Sequence, residues 1–390
     1  VRILWVATKP PWPPADGGRL VAANTIEALV AAGHHVTVVG PDLGARTSPA
    51  PPGVEMSLVP ARPRPLPWAL LSAAARGLPV SIARHSLPAV RRELARLVAT
   101  VPFDVVHAEQ AQALPQCAPA FGAGRPVVFR AQNVESDLWT GASSRGLSGA
   151  AARREGARLA RWEGEAVDRV AATVALTAAD ASRLEALASG RQRVHVVPAP
   201  FPRELPGATL ALPGDPAVVM MGSGGWLPNR RAAAWFVAEA WPAVRLALPQ
   251  ARLHVFGVGG AAAPELGLES HDAPADSRAA FPPGAVLVVP LSLASGVRMK
   301  ILEAWARGIA VVATPAAASG LEATDGRELL LAEGAAGFVA ALRRLNEEPG
   351  LAVALTAAGR EFLRRRHDPS AVAAALAAIY AEAWGTKKKS

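Results

Sequence analysis

Short runs of Val, Leu, Ile and Ala recur along the chain, apolar at successive positions rather than alternating. Strands buried on both faces of a parallel sheet carry that pattern. It predicts strands over Arg2–Thr8, His34–Gly40, Val54–Val59, Phe103–His107, Pro126–Arg130, Arg169–Leu176 and Arg193–Pro198. After a proline-rich stretch, Pro198–Pro216, strands follow over Ala217–Met221, Arg252–Gly257, Ala285–Pro290 and Ile309–Ala313. Helical spacing fills the intervals: Leu20 to about Ala32, Ala151–Asp168, a helix opening near Thr177 or Asp180, one ending near Asn346, and Ala371–Trp384. Glu269–Pro283 has no clear pattern. Strands alternating with helices on either side of a proline-rich linker give two doubly wound, Rossmann-like α/β domains, over 1–200 and 201–370, with 371–390 a final helix and basic tail.

The most informative stretch is Gly284–Leu321, which reads strand, loop, helix, strand. Gly296–Arg307 is expected as the helix, with Ser295 as N-cap and Gly308 just beyond its end. At about 100° per residue, Gly296, Lys300, Glu303 and Arg307 share a stripe roughly 60° wide. Arg298 is in the first turn, and the other positions are apolar. Two readings fit: a solvated seam, or a cleft wall that turns Lys300 and Glu303 toward a ligand and its N-terminus toward an anion.

Composition favours the second. The chain has 36 Arg but only five Lys, of which three are Lys387, Lys388 and Lys389; the other two are Lys9 and Lys300. An isolated Lys on a mostly apolar helix suits a phosphate oxygen, as a compact point charge. The net charge is +9 and belongs mainly to the N-terminal half, with 22 Lys and Arg against 15 Asp and Glu in residues 1–200. That excess is compatible with nucleic acid, a membrane surface or a phosphorylated substrate, but no helix-turn-helix or aromatic RNA platform appears. No apolar run approaches the roughly 20 residues of a membrane span. No signal peptide is visible before the first strand, and the lone Cys117 fits a reducing cytoplasm.

Four loops at strand ends carry candidate chemistry. Lys9–Leu20 is proline-rich and holds the pair Gly17 and Gly18 before a helix, a common recipe for presenting backbone N–H groups to phosphate. Ala131–Trp139 contains Gln132, Asn133 and Glu135; Gln132 donates hydrogen bonds but takes no proton near neutral pH. Gly222–Asn229 is a glycine turn with Ser223 and Asn229, and Ser292–Arg298 holds Ser295, Gly296 and Val297. No spacing of His, Asp and Glu suggests a metal site, and no D-x-D occurs to hold Mg²⁺, so neither metal nor cofactor is expected. Ala61–Val98 is distinct, with seven Arg against the single acid Glu93, interleaved with Trp68, Leu70, Leu71, Leu78 and Ile82. It reads either as loop and surface helices or as an interfacial patch facing anionic lipid.

GVRMKILEAWARGIAVVATPAAASGLEATDG, from Gly296, resembles the nucleotide-sugar site of the retaining GT-B glycosyltransferases of family 4. It is most similar to the subgroup with a G-x-R-x-K-x-x-E-A core, often found in bacterial polysaccharide gene clusters. The strand, proline-rich loop, Gly-Gly and helix of the first unit and the G-x-x-x-W-x-P-N turn ending at Asn229 match as well, so the resemblance covers nearly the whole chain. It implies domains facing a cleft, a final helix returning to the first domain, and metal-independent transfer of a hexose from a nucleotide diphosphate sugar to a hydroxyl acceptor (a sugar, a lipid-linked sugar or a small molecule), with retention. The implied donor residues are Gly17, Gly18, Gly222, Ser223, Asn229, Ser295, Gly296, Val297 and Glu303. Arg298 and Lys300 would stabilise the leaving diphosphate, and Glu303 would accept from the ribose hydroxyls. Lys9, Gln132, Asn133 and Glu135 would stand on the acceptor side. Two positions depart from the family: Gln132 stands where a His is usual, and Ser295 where the first of two glutamates is usual. A catalytically degenerate nucleotide-sugar-binding protein is therefore the rival reading. A membrane-peripheral location is an open corollary of the Ala61–Val98 patch.

Overall fold

The computed structural model describes residues 1–44, 49–141, 147–190, 193–260, 262–274, 276–292, 296–348 and 350–387. The chain divides into two compact units: residues 1–200 with 295–297 and 369–390, and residues 201–294 with 298–368.

The first unit is built on seven strands: β1 (Arg2–Val6), β2 (His35–Asp42), β3 (Val54–Pro60), β4 (Val105–Glu109), β5 (Val127–Ala131), β6 (Ala172–Ala175) and β7 (Val194–Val196). Their order is β3-β2-β1-β4-β5-β6-β7, and every pairing is parallel. Alternate residues serve opposite faces: Leu4 and Val6 join one apolar cluster, Ile3 and Trp5 the other. Both faces are thus covered, which accounts for the uninterrupted apolar runs. The second cluster includes Val372, Leu376 and Tyr380 of the helix Pro369–Lys387, so the final helix completes the core of the first unit.

The second unit has six strands: β8 (Ala217–Met221), β9 (Arg252–Phe256), β10 (Leu268–His271), β11 (Val286–Val289), β12 (Ala310–Ala313) and β13 (Leu330–Leu331). Their order is β10-β9-β8-β11-β12-β13, again all parallel. In each sheet the strand order reverses once, between β1 and β4 and between β8 and β11. Sheets of this kind bind ligands beyond the carboxyl ends of the strands at such a reversal.

Several elements differ from expectation. The first helix is Gly17–Ala31, entered earlier than expected because Asp16 caps it by accepting from the Arg19 N–H. The helix expected over Gly296–Arg307 is Met299–Ala306, because Gly296 has φ +71°, which ends any helical run there. Its N-cap position is Arg298, without a side-chain cap bond. Ser295 lies outside the described residues. The patternless Glu269–Pro283 contributes strand β10, and a helix at Leu351–Arg366 precedes the final one.

Candidate functional site

At the reversal of the second sheet, β8 leads into Gly222, whose N–H donates to Phe256 O at 3.1 Å. A Cβ on Gly222 would lie 2.5 Å from Asn229 Nδ2, so only glycine lets the turn close over that side chain. Asn229, buried, donates to Ser223 O at 3.2 Å and presents Oδ1 to Lys300 Nζ at 3.3 Å. Lys300 also donates to Met221 O at 2.6 Å. Both partners are neutral oxygens. Burial, with the Arg298 charge second, pulls the Lys300 ammonium down to about 7. Arg298 is itself buried and stands over the Trp226 ring at 5.7 Å. Lys300, half-buried, and Arg298, buried, are therefore neighbouring cations, and these bonds of Lys300 go to neutral oxygens rather than to a carboxylate.

Glu303 does not line an open stripe, as the helical spacing suggested. It is 6% exposed and accepts from Ser277 Oγ at 2.5 Å and from Arg307 Nε and Nη2 at 3.0 and 2.8 Å. All three bonds fall on Oε1. Arg298 is likewise buried, whereas Lys300 is half-buried.

The first sheet's reversal is organised differently. Glu109, at the end of β4, is 3% exposed and pairs with Arg130 of β5 at 2.8 Å. Arg130 also donates to Thr25 Oγ1 at 2.7 Å. His107 lies 3.1 Å from Glu109 Oε2, stacks on Trp5 and meets the Tyr380 hydroxyl at 2.8 Å. Burial lowers His107 to about 4 against the pull of Glu109, so the imidazole is neutral near pH 7. Burial pushes Glu109 up, but Arg130 and His107 outweigh it, and its carboxyl stays below the usual range.

Gln132 sits on this network. Its Nε2 donates to Glu109 Oε1 at 2.5 Å and to Gly18 O at 3.0 Å, and its Oε1 accepts from Gln110 Nε2 at 2.8 Å. A Cβ on Gly18 would lie 2.9 Å from that same Oε1. Gln132 thus fixes the first turn of the Gly17–Ala31 helix; Gly17 opens that helix one residue after its cap. Lys9 is exposed and pairs with Asp16 at 3.2 Å. Burial raises the Asp16 carboxyl, but Lys9 and the Arg19 N–H bring it below its ordinary value.

Glu135 opens the helix Glu135–Gly141. Burial raises its carboxyl against a hydrogen bond from Gln112 and the charge of Lys9. Its N–H donates to Glu163 Oε1 at 2.7 Å, and burial pushes the Glu163 carboxyl to about 7. Glu163, from the long helix Leu147–Arg169, had no motif to announce it. Gly296 belongs with this unit by its contacts: its N–H donates to Asp180 Oδ2 at 3.2 Å, and a Cβ there would lie 2.3 Å from Gln132 O and 2.5 Å from Asn133 Oδ1. Val297 beside it is half-buried.

One further cluster belongs to the second unit. His254, Glu269 and His271 bring three ligand atoms within 4.8 Å of one another. They come from neighbouring strands paired in register, a relation that linear spacing does not display.

Residues 16–200 match the model of the glycosyl transferase 4-like domain, and residues 215–348 that of glycosyl transferases group 1. Among solved structures, sucrose-phosphate synthase from Thermosynechococcus elongatus superposes with a TM-score of 0.73 at 16% identity, covering 99% of each chain. Anabaena HepE in complex with UDP-glucose gives 0.64 at 13% identity, over 96% of this chain and 98% of its own. A Staphylococcus aureus TarM mutant holding fondaparinux, alpha-GlcNAc-glycerol and UDP gives 0.57 at 11% identity, over 75% of this chain and 58% of its own. At these identities the likeness is one of fold, the GT-B type. Among curated protein sequences none matches the chain.

Proposed function

We propose, for a chain whose two domains are both those of a glycosyltransferase, that it moves a hexose from a nucleoside diphosphate sugar to an acceptor hydroxyl with retention at the anomeric carbon. The observation that carries this reading is the half-buried Lys300 ammonium on Met221 O and Asn229 Oδ1, beside the buried Arg298. The donor's C1–O bond breaks as the acceptor O–C1 bond forms, and negative charge gathers on the departing diphosphate. Lys300 and Arg298 are the groups to meet that charge, where a fixed cation away from bulk water acts strongly. The acceptor proton passes to the departing phosphate, so no strong protein base is required, and Gln132 in place of a base is compatible with turnover. Glu303 retains Oε2 for the ribose. Gly222, Ser223, Asn229, Gly17, Gly18, Ser295, Gly296 and Val297 belong to the donor side, and Lys9, Gln132, Asn133 and Glu135 to the acceptor side. The reading needs no metal at the diphosphate.

The helix Leu66–Arg76 supports a peripheral membrane contact, and with it a lipid-linked acceptor. Leu66, Trp68, Leu70 and Leu71 are 55, 64, 51 and 62% exposed, in a segment whose charge is almost all arginine. No described helix is long and apolar enough to cross a membrane.

Calorimetry with nucleoside diphosphates in EDTA, followed by turnover of the sugar of whichever base binds, tests the function. Binding and anomer-retaining transfer without divalent metal are expected. Binding without transfer to any acceptor would favour the degenerate reading, and loss of binding on chelation would remove Lys300 and Arg298 from their role.

A further inference from the structure

We infer that the edge of the second sheet carries a divalent transition-metal site of the zinc class, formed by His254, Glu269 and His271. The site is independent of the sugar-transfer reading and shares no residue with it.

Strand register assembles the site. β10 pairs with β9 so that Glu269 stands opposite His254 and His271 opposite Phe256. The period of two then puts all three side chains on one face. The ligand atoms are spaced for an ion. With zinc about 2.0–2.1 Å from nitrogen or oxygen, neighbouring ligand atoms of a tetrahedral shell stand roughly 3.3–3.4 Å apart. Here His254 Nδ1 lies 3.1 Å from His271 Nε2 and 3.5 Å from Glu269 Oε2.

The surroundings orient those atoms. His254 is 0% exposed, and its Nε2 lies 2.9 Å from Pro213 O. A carbonyl accepts only, so Nε2 carries the proton and Nδ1 keeps its lone pair for the cluster. A ring N–H held by a backbone carbonyl is the usual outer support of a metal-bound histidine. The other Glu269 oxygen, Oε1, stands 3.4 Å from Arg252 Nη1. The His271 ring stacks on Phe256 with centroids 4.3 Å apart. Without an ion, His271 Nε2–H donates to His254 Nδ1. Binding replaces that one bond, the His271 proton moving to Nδ1 of the half-exposed ring.

Two imidazoles and one carboxylate select zinc or a neighbouring first-row ion over magnesium or calcium, which take all-oxygen shells. Three protein ligands leave one position for water. The ion would join the edge strand β10 to β9 and to the chain just before β8.

The test is calorimetric titration of the chelator-stripped full chain with Zn²⁺, and with Co²⁺ as a visible-absorption probe. One equivalent should bind, with a four-coordinate cobalt spectrum and a rise in melting temperature. His271→Ala, at a half-exposed position where folding should survive, should weaken binding by more than about 100-fold, the upper range for loss of a mere supporting group. It should also abolish the thermal shift, and Glu269→Gln should weaken binding as well. His34→Ala, removing the histidine beside the N-terminus, should leave binding intact. The inference is overturned if no stoichiometric zinc binds, or if His271→Ala and Glu269→Gln leave the affinity unchanged.

Discussion

The two sheets reverse strand order in the same way but place different kinds of charge at the reversal. In the first unit Glu109 meets Arg130, His107 is neutral, and Gln132 joins the network to the helix start at Gly18. In the second, Lys300 rests on two uncharged oxygens beside Arg298. The first arrangement is internally compensated. The second holds a buried Arg298 beside a half-buried Lys300 whose bonds go to no acid. A compensated network specifies a shape; a cation resting on neutral oxygens still has its charge to offer, which is the basis of the role proposed for Lys300.

The largest expected effect breaks the compensated side. Arg130→Met leaves Glu109 buried without its cation and should cost about 3–5 kcal/mol. Urea denaturation measures it; a loss below about 1 kcal/mol, the value of an exposed pair, would erase the contrast. Lys300→Met should behave oppositely, with a melting temperature at or above that of the unaltered chain, because it removes a half-buried charge.

The next concerns affinity. Lys300→Ala should weaken nucleoside diphosphate binding by about 1.5–3 kcal/mol, as expected of a charge-assisted bond. In the free chain Lys300 titrates at about 7, and an anion beside it raises that value. Binding therefore takes up a proton above pH 7. Affinity should fall from pH 7 to 9, by at most about tenfold per unit for one proton, in a range above the phosphate's own last ionisation near 6. Calorimetry in buffers of different ionisation enthalpy reads the proton directly. A flat profile would mean that Lys300 does not touch the diphosphate.

The smallest effect sharpens the comparison at the ribose. Glu303→Gln should weaken a ribonucleoside diphosphate more than its deoxyribose analogue. A coupling below about 0.3 kcal/mol is within ordinary additivity, and would return Glu303 to a purely internal role with Ser277 and Arg307.

The strands were legible because burial on both faces writes Val, Leu and Ile at successive positions, as in Val286–Val289 and Ala310–Ala313. The helix from Met299 was legible as an element but not in its start. A glycine beside a polar stripe looks helical in sequence, whereas its positive φ and the close approach of Gln132 and Asn133 arise only in the folded chain. The identities of Lys300, Asn229 and Gly222 were visible, yet their closure on one another was not, since Lys300 and Asn229 are 71 residues apart. Glu163, and the cluster of His254, Glu269 and His271, were missed for the same reason: register and burial bring them together, and neither is written in spacing. The network of Glu109, Arg130 and Tyr380 was equally hidden, one of its bonds spanning 273 residues.

That last bond has a consequence for how the chain is made on the ribosome. The first unit holds residues 1–200, but Tyr380, which meets His107, is synthesised only after the second unit. At about 5–20 residues per second, translation separates Pro200 from Tyr380 by roughly 10–40 s. Through that interval the nascent first unit shows water the apolar surface later taken by Val372, Leu376 and Tyr380. The domain begun first is finished last, and until the final helix arrives its uncovered apolar face is a surface prone to wrong associations.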